Sequence, residues 1–163
     1  MGHALIANYG GIPLIYMGDE IGILNDHSYR NNPSLADDGR WMHRPFMDWT
    51  RPESESGPSA LILEGTRHIM AVRKSAPQLA SYVPTHVIET GDSRLFAFAR
   101  PADDSSLTCL FNFTEEEVVI SPAKLGMTSG GPPHDLLTDG LVQLSDAGIA
   151  IAPYAALWLR ASA

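Results

Sequence analysis

The chain has 163 residues, 44% of them hydrophobic and 18% charged, with a formal net charge of −8. That length suffices for one domain or one and a part and buries roughly 70% of the unfolded surface, as a soluble globular protein does. Acidic residues are spread along the chain and Lys/Arg form no block. This excludes nucleic acid and anionic membrane surfaces as partners, because both require a basic face.

Residues 4–9 (ALIANY) are predicted to end a helix, with Gly10 or Gly11 supplying the left-handed C-terminal residue. The chain is thus expected to begin inside a structure, at the last turn of a helix whose start is missing. Residues 12–17 (IPLIYM) are apolar throughout, the pattern of a strand buried on both faces of a parallel sheet, and Pro13 stands near its start. Residues 18–58 are rich in Gly, Asn, Asp, Pro and Ser. So long a segment without periodicity is expected to be functional, and Tyr29, Trp41, Phe46 and Trp49 argue that it is ordered. Residues 59–74 read as an amphipathic helix with a core-facing stripe of Leu61, Ile62, Ile69, Met70 and Val72. Ser59 would be its N-cap, Arg73 and Lys74 suit its C-terminal dipole, and Pro77 stops it.

From about residue 80 the period changes to two. Short apolar or alternating pieces at 86–89, 95–100, 107–113, 117–121, 136–137, 141–144 and 147–159 are separated by turn signals, the signature of an antiparallel sandwich. Residues 126–133 read as an irregular loop. The single cysteine, Cys109, lies in an apolar run and reads as a core side chain. The absence of any intrachain disulfide fits a cytoplasmic protein. No apolar run approaches the roughly 20 residues of a membrane span, and residues 1–8 lack the charged start of a signal peptide. The layout predicts a mixed fold, α/β plus all-β: the last βα unit of a TIM-type (β/α)8 barrel, followed by an antiparallel C-terminal β-sandwich. The expected boundary separates residues 1–78 from 79–163.

Two segments carry a family resemblance. Gly10-Gly11-Ile12-Pro13-Leu14-Ile15-Tyr16-Met17-Gly18-Asp19-Glu20 resembles the eighth barrel strand and following turn of α-amylase superfamily enzymes. Asn25-Asp26, followed by Asp37-Asp38-Gly39-Arg40-Trp41-Met42-His43-Arg44-Pro45, is similar to amylosucrases and sucrose hydrolases. Arg67-His68 with Ala71-Val72-Arg73, Phe111-Asn112-Phe113 and Trp158-Leu159 match in order, so the resemblance spans the chain. It implies an enzyme that holds sucrose in a pocket at the barrel's C-terminal face, forms a covalent glucosyl intermediate and passes glucose to an α-glucan or to water. The nucleophilic Asp, acid/base Glu and third Asp of such enzymes come from barrel strands four, five and seven. None maps onto this sequence, so no catalytic residue is assigned and the chain alone is expected to be inactive.

The resemblance carries over Arg40, which would pair with a carboxylate from the first half of the barrel at the pocket floor. Asp37 and Asp38 would position its loop, and Trp41 completes the substrate-binding candidates. Gly39 stands where some relatives have Ser. An arginine suits the role because its planar fork binds a carboxylate and hydroxyls together.

Asp19 and Glu20 are adjacent and would point apart in an extended segment, so they read as loop anchors rather than a catalytic pair. His27 and His43 lack metal-ligand spacing, and no metal or cofactor is expected. His43 reads as a hydrogen-bonding loop residue and His68 as structural. Trp41, Phe46 and Trp49 would pin the loop to the barrel rim or stack on sugar rings. Expected partners are sucrose and α-glucan in the intact enzyme, together with the missing barrel half or a second copy of the chain against the open strand. The alternative is a non-catalytic module, residues 80–163, that binds glucan or a partner through exposed aromatics.

Overall fold

In the computed structural model, residues 1–47, 49, 57–102, 105–127 and 131–161 are described. Parts of the long predicted loop (48 and 50–56), of the turn at 103–104 and of the loop at 128–130 lie outside them. The chain divides into two compact units: Met1–Pro13 with His68–Ala163, and Leu14–Arg67.

In the first unit the helix α1 (Gly2–Asn8) ends where Gly10 and Gly11 adopt positive φ. Helix α2 (Pro58–Ser75) begins in the second unit and contributes its last residues here. Nine strands follow among the described residues: β1 (His86–Ile88), β2 (Leu95–Ala102), β3 (Ser105–Asn112), β4 (Val118–Ile120), β5 (His134–Asp135), β6 (Gly140–Leu141), β7 (Leu144–Ser145), β8 (Gly148–Ile151) and β9 (Ala156–Arg160). They form an antiparallel six-stranded sheet ordered β1-β2-β3-β9-β5-β6 and an antiparallel three-stranded sheet ordered β4-β8-β7.

The period-two pattern splits the side chains of the large sheet between two cores. Phe98, Cys109 and Trp158 are cross-strand partners in one row. With Leu107 and Phe111 they pack against Ala4 and Ala7 of α1 and against Ala76 and Leu79. The opposite set, Leu95, Ala97, Leu110 and Leu159, packs with Val118, Ile120, Ile149 and Ile151 of the small sheet. One sheet face is therefore closed by helix and the other by sheet. Burial pushes the Cys109 thiol up, as expected of a core cysteine without a nucleophilic role.

Several expectations are corrected. Residues 12–17 form no strand: Ile12 is 87% and Leu14 78% exposed. A strand exists only where a neighbour supplies the ladder, and none is described here. Ser59 lies inside α2, with Pro58 taking the first helical position. Within the predicted stripe Leu61 is exposed, and the buried residue of the helix is Thr66. The pair expected at 136–137 forms at His134–Asp135, and 147–159 is interrupted by a turn after Ile151.

Candidate functional site

The predicted substrate-binding residues all fall in the second unit, which holds three short 3-10 turns: Asp19–Ile21, Ser28–Asn31 and Gly39–His43. Local side-chain chemistry shapes each turn. The Asp26 carboxylate accepts the Ser28 N–H at 2.8 Å, and its bonds to Ser28 hold its pKa below the usual carboxylate range. The Asn32 side chain accepts the Ser34 N–H at 3.0 Å. Asp38 caps the third turn by accepting the Arg40 N–H at 3.0 Å.

The two parts of the second segment, Asn25-Asp26 and Asp37–Pro45, meet in space. The Asp26 N–H donates to the Met42 carbonyl at 2.9 Å, and His43 Nδ1 lies 3.0 Å from Asn25 Oδ1. His43 is thus a hydrogen-bonding loop residue. Tyr29 is buried beside Gly39, and the Arg30 guanidinium lies over its ring.

Arg40 and Asp38 are brought together. Nε is 2.9 and 3.0 Å from the two carboxylate oxygens, and Nη2 is 2.8 Å from Oδ2. This bidentate hydrogen bonding holds Asp38 down at about 2. Nη1 has no acceptor among the described residues, and the Arg40 side chain is 72% exposed. Asp37 is exposed, and Trp41, half-buried, is held by backbone bonds to Asp38 and Arg44.

An internal control exists. Asp92-Ser93-Arg94 repeats the same clamp in the first unit: Arg94 N–H and Nε on Asp92 Oδ1, both at 3.0 Å, and Nη2 on Oδ2 at 2.7 Å. There Nη1 does find an acceptor, Glu116 Oε2 at 3.1 Å. Both D-x-R segments therefore form the same local clamp and leave Nη1 outside it.

Asp19 and Glu20 serve the turn itself, accepting the Tyr16 and Gly18 N–H groups at 3.2 and 2.7 Å. Phe46 and Trp49, expected to pin the loop or to stack on sugar rings, are exposed. Among the described residues no group of three or more His, Cys, Asp or Glu side chains is placed to hold a metal ion. No helix among them is long and apolar enough to cross a membrane.

Sequence reasoning missed three buried polar residues. Asn112 Nδ2 donates to the carbonyls of Glu116, Ile151 and Ala152, while its Oδ1 accepts from Thr114. Asp135 accepts the N–H groups of Trp158, Leu137 and Thr138 and the Thr138 hydroxyl. Arg100 is fully buried among carbonyls. Asn112 carried a signal, a carboxamide inside the apolar run 107–113, which folding tolerates only when its hydrogen bonds are met.

Residues 85–160 match the family model of the amylosucrase C-terminal domain. Solved structures with the same fold include a variant of AmyP in complex with maltotriose, at TM-score 0.75 and 20% identity, covering 98% of this chain and 33% of that one. The α-amylase of Geobacillus thermoleovorans complexed with acarbose aligns at TM-score 0.65 and 18% identity, over 96% of this chain and 31% of that one. The trehalose-6-phosphate hydrolase of Bacillus licheniformis aligns at 0.68 and 17%, over 99% and 38%. The chain spans about a third of the length of these proteins. At such identities the likeness is one of fold. The similarity to the amylosucrase C-terminal domain is confined to residues 85–160, just under half of the chain.

Proposed function

We propose that the chain is the C-terminal part of an amylosucrase-like enzyme, one that transfers glucose from sucrose with retention to an α-glucan or to water. Residues 1–78 would close its (β/α)8 barrel and residues 79–163 would form its C-terminal domain. The observation that carries this reading is the half-used fork of Arg40. Asp38 occupies the Nε/Nη2 edge and Nη1 has no acceptor among the described residues, whereas Nη1 of Arg94 is taken by Glu116. A second carboxylate, contributed by the first half of the barrel, would complete Arg40 at the floor of a sucrose pocket. Asp38 would preset the guanidinium, so little side-chain freedom is lost when that group arrives. The exposed run Ile12, Leu14, Tyr16 and Met17 fits coverage by the rest of the barrel or by another chain.

The chemistry itself needs two carboxyl groups facing one glycosidic bond, roughly 5 Å apart. Asp19 and Glu20 do not supply them, since both are engaged by their own turn. The purified chain should therefore release no fructose from sucrose. Joined in one polypeptide to the first seven βα units of an amylosucrase, it should do so. Fructose release by the chain alone, unchanged after repeated purification, would contradict the proposal.

A second reading, a non-catalytic glucan-binding module, is favoured by Tyr82, Phe113 and Tyr154, which are exposed. Against it, Phe98, Phe111 and Trp158 are core side chains. Retention of the chain on insoluble α-glucan, lost on replacing those three exposed rings by Ala, would support the module.

A further inference from the structure

The end of α1 is held from the β-domain through a chain of side chains. Arg100 on β2 has no exposed surface, and among the described residues none of its acceptors is a carboxylate. Its Nε donates to the Gln78 carbonyl at 3.1 Å, one Nη to the Ala80 carbonyl at 2.8 Å and the other to the Thr85 hydroxyl at 2.8 Å. The Thr85 hydroxyl, which can accept and donate at once, donates its own hydrogen bond to the Tyr9 carbonyl. From α2, Arg73 donates to the Ala7 carbonyl and, at 3.0 Å, to the Gly11 carbonyl. Three alternate carbonyls, Ala7, Tyr9 and Gly11, are therefore satisfied by cations or by a hydroxyl that a cation orders. Ala7 lies in the last turn of α1 and Tyr9 is its C-cap, where a helix end leaves carbonyls without partners, and Gly11 lies just beyond it. A Cβ built on Gly10 would stand 2.9 Å from Arg100 Nη1 and 3.2 Å from Thr85 Oγ1, so the guanidinium lies against the bare backbone at this corner. The Tyr9 ring completes the contact, edge-on to Phe98 at 5.2 Å.

We infer that Arg100, Thr85 and Arg73 are positioning residues: through Arg100 and Thr85 the β-domain, and through Arg73 helix α2, set the path of the chain at the Ala7–Gly11 corner. A buried guanidinium is costly unless all its directions are used, and here each direction leads to the corner or to the 78–85 connection. That connection is fixed by the same side chain that fixes the corner, so the two cannot shift independently. The consequence for a closing barrel strand rests on the reading above, since residues 12–17 start from this corner. The clamp itself does not depend on that reading.

The test is amide hydrogen exchange on the full chain, with Thr85→Val and Thr85→Ser. Removing one hydrogen bond should speed exchange at residues 9–11 about tenfold in the Val variant. The Ser variant, which keeps the hydroxyl, should match the parent chain, and the amides of β2 and β3 should stay within about twofold in both. Gly10→Ala, which touches the clamp from the other side, should give the same local pattern. Unchanged exchange at 9–11 in the Val variant, equal acceleration in Val and Ser, or acceleration across the whole β-domain would each overturn the inference. None of these readouts involves sucrose, so its failure is separable from failure of the proposed function.

Discussion

The two units differ in how their polar groups find partners. In the unit built on the β-domain, buried polar side chains reach across the sequence: Asn112 to Ile151, Asp135 to Trp158, Arg100 to Gln78. Among the described residues of Leu14–Arg67 most side-chain bonds are to residues one to three positions away. Its buried apolar side chains, among the described residues, are Ile21 and Tyr29, while Leu14, Tyr16, Leu24, Phe46, Trp49 and Leu61 face out. Asx turns, caps and an Asp-x-Arg clamp can shape a segment without giving it a core. The difference separates a region that carries its own stability from one whose apolar side chains still require a surface to pack on.

Mutations should sharpen that contrast. Trp158→Ala removes the largest fully buried side chain of the β-domain and should cost about 3–5 kcal/mol in urea unfolding. Trp49→Ala should stay within about 0.5 kcal/mol. Equal effects would erase the distinction. Asn112→Ala strands the carbonyls of Glu116, Ile151 and Ala152 and should cost roughly 2 kcal/mol or more by the same measurement. The chain has no comparable polar hub in 14–67 among the described residues.

The smallest effect is electrostatic and should appear in both units. Asp38 and Asp92 are each held at about 2 by an arginine two residues on. Both pKa values are lowered on folding, so their contribution to stability is complete above about pH 4 and fades as pH falls toward about 2. Both pairs are solvent-exposed, so the slope should be slight and weaker in salt. Carboxyl titration by NMR should place both midpoints near 2. Arg40→Met should return that of Asp38 toward its usual 3.8 and leave Asp92 alone.

The strands of the β-domain were legible because alternation in 95–100 and 107–113 reports directly on two-sided packing. The registry at 134–135 was not, because its short pairing is set by Asp135 reaching Trp158, far along the chain. Residues 12–17 carry a strand-like apolar run, yet composition states only what a segment can bury, not whether a neighbour is there to bury it. For the candidate site, the resemblance of the D-D-x-R-W segment named Arg40 and Asp38 as candidates. That Asp38 would be the carboxylate on Arg40 was visible only with coordinates, and so was the recurrence of the clamp at Arg94. The three alternate carbonyls at the end of α1 left no mark in the sequence, since backbone acceptors have no letter of their own.

Arg40 and Arg94 share one local geometry and differ in what their free edge reaches. The most direct test is therefore a paired measurement of kcat/KM for sucrose in the joined enzyme carrying Arg40→Lys or Arg94→Lys. A lysine keeps the charge but loses the fork. The Arg40 variant should fall on the order of 100-fold, the cost of breaking a desolvated charge pair, and the Arg94 variant should match the parent enzyme. Equal values for the two variants would show that Arg40 is a surface clamp like Arg94, and no pocket floor would be left to build on it.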